Sequence, residues 1–189
     1  MHVQSDQVAS FITRDRAGKQ LYIIAIDGPG GAGKSHLAQL IADSVSDCQV
    51  VHFDDFYLGE SQVADDRYGG RFDWRRLEAQ LLIPLRQGRQ AVYRVFDWSR
   101  GAPGDPAAVA PAGTIVVEGV YCTRAEIRHY YDLTVFVEAS RETRLRRGME
   151  RDGAASRTLW VDVWMPEEEL YIGSFHDPKG TAHLIVRGE

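Results

Sequence analysis

The chain has 189 residues with a formal net charge of −5 and a pI of about 5.7, and 44% of them are hydrophobic and 26% charged. That is enough chain for one domain with its own core, of ordinary soluble composition. No apolar run reaches bilayer length, the acidic balance gives no reason to expect a nucleic-acid partner, and two cysteines without a C-x-x-C pair suggest buried thiols in a reduced, cytoplasmic setting.

The first stretch, MHVQSDQVASFITRDRAGKQ, lacks the apolar segment of a secretory signal. Val8, Phe11 and Ile12 predict a short amphipathic helix before Gly18, an extension over residues 1–20. QLYIIAI (20–26) is continuously apolar, the pattern of a strand buried on both faces of a parallel sheet. KSHLAQLIADSV (34–45) places Leu37, Leu40, Ile41 and Val45 on one helical face. CQVVHF (48–53) predicts a strand, and 54–72 reads as a polar, mobile loop. DWRRLEAQLLIPLRQG (73–88) predicts a helix capped by Asp73 and stopped at Gly88, with Pro84 kinking or ending it early.

QAVYRVF (90–96) alternates as a strand does, and the Pro/Gly/Ala-rich 101–113 reads as a loop. TIVVEG (114–119) and DLTVFVEA (132–139) predict buried strands, and SRETRLRRGMERDG (140–153) a helix capped by Ser140. VWMPEEELYI continues helical after Pro166, and HLIVRG (183–188) closes as a strand. Trp160 and Trp164, at i and i+4, read as packing. Strands separated by helices give an α/β fold with a mostly parallel sheet. No repeat, low-complexity tract or linker divides residues 1–189, so one domain is expected.

IDGPGGAGKS (26–35) fits two phosphate-binding patterns. As G-x-G-x-x-G, through Gly28, Gly30 and Gly33, it would open a dinucleotide-binding unit of an oxidoreductase, with Asp54 at the distance of a ribose-binding acid. As G-x-x-x-x-G-K-[ST], through Gly28, Gly33, Lys34 and Ser35, it is a P-loop. A cation followed by a hydroxyl decides for the P-loop: the ammonium serves the β- and γ-phosphates and the hydroxyl serves Mg²⁺. Gly28, Gly30, Gly31, Ala32, Gly33, Lys34, Ser35 and His36 therefore form the expected ATP site, with the backbone amides of 30–35 on the phosphates and the His36 side chain on the helix surface. No N-K-x-D occurs, which argues against a GTPase. Glu118 ends a strand where an acid can hold Mg²⁺ through water, and HFDDFY (52–57) places two carboxylates where a substrate hydroxyl can be oriented and deprotonated. The bland alternatives are a solvated strand end and a solvated turn.

Together IDGPGGAGKS, HFDDFY, RFDWRRL, YRVFDWSRG, VVEGVY and RLRRGMERDG resemble, in order and spacing, the uridine kinase-like group of P-loop kinases, from about Leu21 onward. The nicotinamide riboside kinases belong to that group, and phosphoribulokinase and pantothenate kinase are more distant. The resemblance implies a three-layer sandwich around a five-stranded, mostly parallel sheet with a small helical lid, here roughly 148–158. It implies Asp54 as catalytic base, Tyr57 as an aromatic wall of the acceptor pocket, Asp73 as the acid on ribose hydroxyls, and Asp97 and Arg100 as a substrate segment. It implies Glu118 near the magnesium and Arg147 and Arg151 as lid arginines over the phosphates, at a spacing one residue long. For Arg144 the alternative is a place at the edge of the core. A plain solvated helix face would also be arginine-rich, but nothing in the adjacent sequence neutralises several of these charges, and a triphosphate would.

The expected activity is ATP- and Mg-dependent phosphoryl transfer to an alcohol of a small metabolite, most simply a nucleoside 5′-hydroxyl. The alternatives are a sugar or vitamin-precursor acceptor, or an ATP-binding switch protein with no small acceptor. Related enzymes associate in several ways, which leaves homo-oligomerisation open. The segment after Arg151 departs from the nucleoside-kinase pattern, so the acceptor itself is not legible.

Overall fold

Leu21–Asp27 (β2) is apolar almost to its end and becomes a central strand of the sheet. Its neighbours are Gly113–Glu118 (β6) and Leu133–Glu138 (β7), both parallel to it. Cys48–His52 (β3) lies outside β6, Leu184–Arg187 (β8) outside β7, and the two-residue strand His2–Val3 (β1) outside β8. The computed structural model describes residues 1–59 and 68–188, which includes this six-stranded sheet of order β1-β8-β7-β2-β6-β3. All its pairings are parallel. The five expected strands are there, and β1 is an unpredicted sixth, too short to carry a periodic signal.

The pleat of β2 divides the core. Tyr22, Ile24 and Ile26 pack with Leu37 and Ile41 of Lys34–Ser44 (α2), and with Val8 and Ile12 of the N-terminal helix Ser5–Asp15 (α1). Ile23 and Ala25 face the opposite layer, with Leu77, Leu81 and Leu85. Leu40, expected on the buried face of α2, is instead exposed at 36%.

That opposite layer is one helical rod. Trp74–Leu77 (α3) runs through a π-helical turn, Glu78–Leu82, into Ile83–Arg86 (α4). Pro84, expected to kink the helix or end it early, does not end the rod, because the wider turn holds Gln80, the residue whose carbonyl a proline ring would strike. The arrangement recurs later. Arg141–Asp152 (α5) is followed by Arg157–Leu159 (α6), a π-helical turn Trp160–Trp164, and Met165–Ile172 (α7) with Pro166. Trp160 is 1% exposed and packs edge-on to Trp164, as the packing reading expects.

Residues 101–113, expected as a loop, are largely Ala102–Val109 (β5), antiparallel to Ala91–Asp97 (β4) in a separate two-stranded sheet. Each strand of a lone hairpin has a free edge, which is where prolines such as Pro103 and Pro106 are tolerated. The expected loop over 54–72 begins instead as a 3₁₀ turn, Phe53–Phe56, with both phenylalanines fully buried. Its stretch 60–67 lies outside the described residues.

Because the sheet is parallel, the segments leaving β2, β3, β6 and β7 all emerge at one edge. That edge collects the P-loop, Asp54, Glu118 and the start of α5.

Candidate active site

The P-loop turns through left-handed glycines. Gly28, Gly31 and Gly33 have φ of 143°, 74° and 102°. A Cβ on Gly28 would lie 2.2 Å from the Val137 carbonyl oxygen, so only glycine lets the loop pass this close to β7. The amide of Gly28 donates to Asp27 Oδ1 (2.6 Å), that of Gly30 to Glu168 Oε1 (3.0 Å), and that of Ala32 to the Pro29 carbonyl (3.2 Å). Among the described residues, the amides of Gly31, Gly33, Lys34, Ser35 and His36 have no protein partner. Unpaired N–H groups at the start of α2 form an anion site. Lys34 is 9% exposed, and its Nζ donates to the Pro29 carbonyl at 3.1 Å.

Ser35 Oγ lies 3.0 Å from Glu118 Oε1, and His52 Nδ1 lies 2.6 Å from the same oxygen. Burial works to raise the Glu118 carboxyl, but the His52 hydrogen bond and the Lys34 charge outweigh it and hold the group below its ordinary value. His52 is raised in turn, chiefly by its bond to Glu118. A hydroxyl beside an ionised carboxylate is a hard-oxygen donor set that suits Mg²⁺, which keeps most of its waters and takes phosphate oxygens. The residues present fit the ion.

The two carboxylates of the DD pair have different surroundings. Asp55 accepts from Tyr93 Oη (3.2 Å), and its carbonyl accepts from Arg76 (2.9 Å), which also reaches the Arg94 carbonyl (2.6 Å). It ties the β4–β5 hairpin to the 3₁₀ turn. Asp54 is accessible to solvent yet ringed by protein, and among the described residues its carboxylate has no hydrogen-bond partner. Burial and the Glu118 charge push its pKa up, against the opposing charges of Lys34, Arg151 and His52. The base candidate therefore feels both sides of the phosphate site.

Tyr57 stands in an aromatic wall with Phe96 (5.1 Å between centroids), Trp98 (5.0 Å) and Phe72 (5.5 Å). Trp98 is 61% exposed. Asp73 caps α3, its Oδ1 accepting from the Arg76 amide at 3.0 Å, and it stands next to Phe72 of that wall. Asp97 is engaged by the hairpin turn, where Oδ1 accepts from the Ser99 amide and hydroxyl and from the Arg100 amide. Those bonds, led by the Ser99 hydroxyl, hold its carboxyl below the ordinary value. Arg100 pairs loosely with Asp97 at 3.8 Å. Among the described residues neither bonds to Asp54, Asp73 or Tyr57; both sit in the hairpin turn whose Phe96 and Trp98 pack on Tyr57.

The arginines of α5 are not short of partners, contrary to expectation. Arg144 pairs with Glu168 (2.6 Å), Arg146 with Glu150 (3.0 Å) and Arg151 with Asp152 (2.7 Å). These partners lie one turn on, next door, or 24 residues away in α7, and the last is invisible to a local scan. Arg147 Nη1 donates to the Gly31 carbonyl (3.2 Å), so it lies on the P-loop. Arg151 feels the charge of Asp54 across the site.

Three parts of the site escaped the sequence reading. His52 opens the HFDDFY stretch and ends β3 in register with Glu118, but the sequence reading gave it no role. Glu168 is buried between exposed Glu167 and Glu169, and its only signal is the helical spacing Met165, Glu168, Tyr171. A groove of about 540 Å³ beside the P-loop, lined by Glu138, Ser140, Thr143, Arg146, Arg147 and Arg187, forms only when β7, α5 and β8 meet.

The family described as phosphoribulokinase / uridine kinase matches residues 23–158. Uridine-cytidine kinase C of Dictyostelium discoideum is 24% identical over 74% of this chain and 32% of its own length. A Schizosaccharomyces pombe uridine kinase is 26% identical over 78% of this chain and 35% of its length, so the chain spans about a third of these relatives. The uridine kinase of Latilactobacillus sakei is 25% identical over 87% of this chain and 84% of its own. Among solved structures, a candidate fructose transport system kinase from Silicibacter sp. TM1040 superposes with a TM-score of 0.78 at 18% identity, covering 97% of this chain and 98% of that one. A candidate uridine kinase from Bacillus stearothermophilus gives 0.69 at 18%, covering 94% and 96%.

Proposed function

The chain belongs to the phosphoribulokinase / uridine kinase family, and on that premise we propose that it transfers the γ-phosphoryl group of ATP to an alcohol of a small molecule. The observation that carries the reading is the pairing of amides at Gly31 and Gly33–His36 that have no protein partner among the described residues with an Asp54 carboxylate likewise unbonded among them and in the field of Lys34. The amides and Lys34 hold the phosphates. The groove between β7, α5 and β8 takes the nucleobase, since it adjoins the P-loop where Gly188 packs against Ala32. Ser35 and Glu118 hold Mg²⁺, which when bound neutralises charge on the phosphate oxygens.

The acceptor enters between Asp54 and the aromatic wall of Tyr57, Phe96 and Trp98. Asp54 accepts the hydroxyl proton as the acceptor oxygen bonds to the γ-phosphorus and the bridging oxygen leaves with ADP. Asp55, held by Tyr93 and Arg76, stays out of the reaction and fixes the turn that aims Asp54. Asp73 holds acceptor hydroxyls with the carboxylate oxygen not used in capping. Arg151, with the segment around 148–158 as lid, adds positive charge opposite Asp54 and keeps water out.

The acceptor follows from a thermal-shift screen of nucleosides and sugars with Mg²⁺ and a non-hydrolysable ATP analogue. A kinase gains stability from its acceptor, about 2.7 kcal/mol at a hundredfold excess over Kd. Stabilisation by nucleotide alone across the whole panel would instead favour an ATP-binding switch.

A further inference from the structure

The P-loop is gripped from a part of the chain that lies beyond the family match. Residues 23–158 carry the matched sequence, and α7 spans Met165–Ile172. Two residues of α7, three apart and on one face, reach the loop. Glu168 is 6% and Tyr171 1% exposed. Glu168 Oε1 accepts the Gly30 N–H at 3.0 Å. Its Oε2 pairs with Arg144 Nη2 at 2.6 Å, and Arg144 Nε donates to the Gly30 carbonyl at 3.0 Å. Both polar groups of Gly30 are thus held by one buried ion pair. The fit is tight: a Cβ on Gly30 would lie 2.8 Å from Glu168 Oε1 and 3.1 Å from the Trp160 ring.

Tyr171 acts on the loop's other end through Asp27. That carboxylate, 1% exposed, accepts from Tyr171 Oη (2.8 Å), from the amides of Gly28 (2.6 Å), Tyr121 (3.2 Å) and Thr123 (2.9 Å), and from Thr123 Oγ1 (2.7 Å). It joins the entry to the P-loop to the segment that follows Glu118.

A buried ion pair is a poor device for stability, because desolvation offsets most of its attraction, and its better-attested use is fixing one arrangement. We propose that Glu168, with Arg144 on one side and Tyr171–Asp27 on the other, is a positioning residue that holds the P-loop in its phosphate-binding shape, so that α7 sets the affinity for Mg·ATP. The inference rests on the ATP-site reading above. It takes no part in the chemistry: Glu168 acts through the Gly30 peptide, which keeps the free amides from Gly31 onward preorganised.

The test is direct binding of Mg·ATP by calorimetry, which needs no acceptor, alongside melting temperature. Glu168→Ala raises Kd about tenfold, the loss expected when a buried amide loses its acceptor. Glu168→Gln keeps an acceptor for the Gly30 N–H without the charge opposite Arg144, keeps the shape of the side chain, and falls between. Tyr171→Phe, which deletes one hydroxyl from a packed ring, moves Kd the same way by less. With an acceptor in hand, KM for ATP rises in these variants and KM for the acceptor does not. Wild-type Kd in Glu168→Gln and Tyr171→Phe would overturn the inference, as would equal rises in both KM values, the mark of a merely structural role. Wild-type protein that binds no Mg·ATP would overturn the site reading itself.

Discussion

Asp54 and Asp55 are chemically identical neighbours, and their surroundings separate them. Burial raises both carboxyls, but Asp55 is bonded to Tyr93, whereas among the described residues Asp54 has no hydrogen-bond partner and the Glu118 charge pushes it up further. A base must be ionised to accept a proton, so transfer fails as pH falls through that raised pKa. The acid limb of kcat/KM is therefore expected above the ordinary aspartate range, and a pH–rate profile checks it. Asp54→Asn should cut kcat at least about a hundredfold while Mg·ATP still binds. The same shift has a stability consequence. A carboxyl raised in the folded state costs stability when ionised, above its folded pKa, and the cost vanishes below its unfolded pKa. Asp54→Asn should then melt no lower than the wild type at neutral pH, which thermal denaturation checks. Lys34→Ala removes a cation buried at the P-loop and should lower kcat at least about a hundredfold.

At the scale of elements, α5 and the segment after it form one unit built around Trp160. Ser140 caps α5, its Oγ accepting from the Thr143 amide at 3.1 Å. Ser140→Ala should cost about 1 kcal/mol, a fall of roughly 2–4 °C in melting temperature for a chain of this size. Gly148 is more demanding, since a Cβ there would lie 2.4 Å from the Trp160 ring. Gly148→Ala should cost about 1–3 kcal/mol by overpacking and displace Trp160, which tryptophan fluorescence reads directly. The prolines of this unit and of the α3–α4 rod are accommodated by π-helical turns rather than by breaks. Sequence marks Pro84 and Pro166 as disruptions, but whether a helix ends or widens there depends on whether packing beyond the proline is worth keeping. Leu85, after Pro84, and Tyr171, after Pro166, are buried and show that it is.

At the scale of the molecule, a parallel sheet delivers the ends of four strands to one edge, and the site follows from that topology. The strands other than β1 and β5, the P-loop and the placing of a DD pair at the end of β3 are legible because each is a local pattern: an apolar run, a glycine turn with Lys34 and Ser35, two acids at a strand end. The β5 strand is not, because Pro and Gly composition says loop wherever pairing with a distant partner is invisible. Asp97 and Arg100 match a motif, and that the hairpin turn also engages Asp97 Oδ1 is something only backbone geometry reveals. The linkage of Glu168 to Gly30 crosses 138 residues, and that of Tyr171 to Asp27 crosses 144. Sequence by itself determined the phosphate-binding chemistry and the layered α/β fold, since local spacing dictates backbone shape and the order of elements dictates layering. Tertiary structure alone decided which of two equal carboxylates is tied down by Tyr93 and which arginines are already paired. It also decided what holds the P-loop in shape. Hydrogen bonds and desolvation act between groups that meet only in the folded chain.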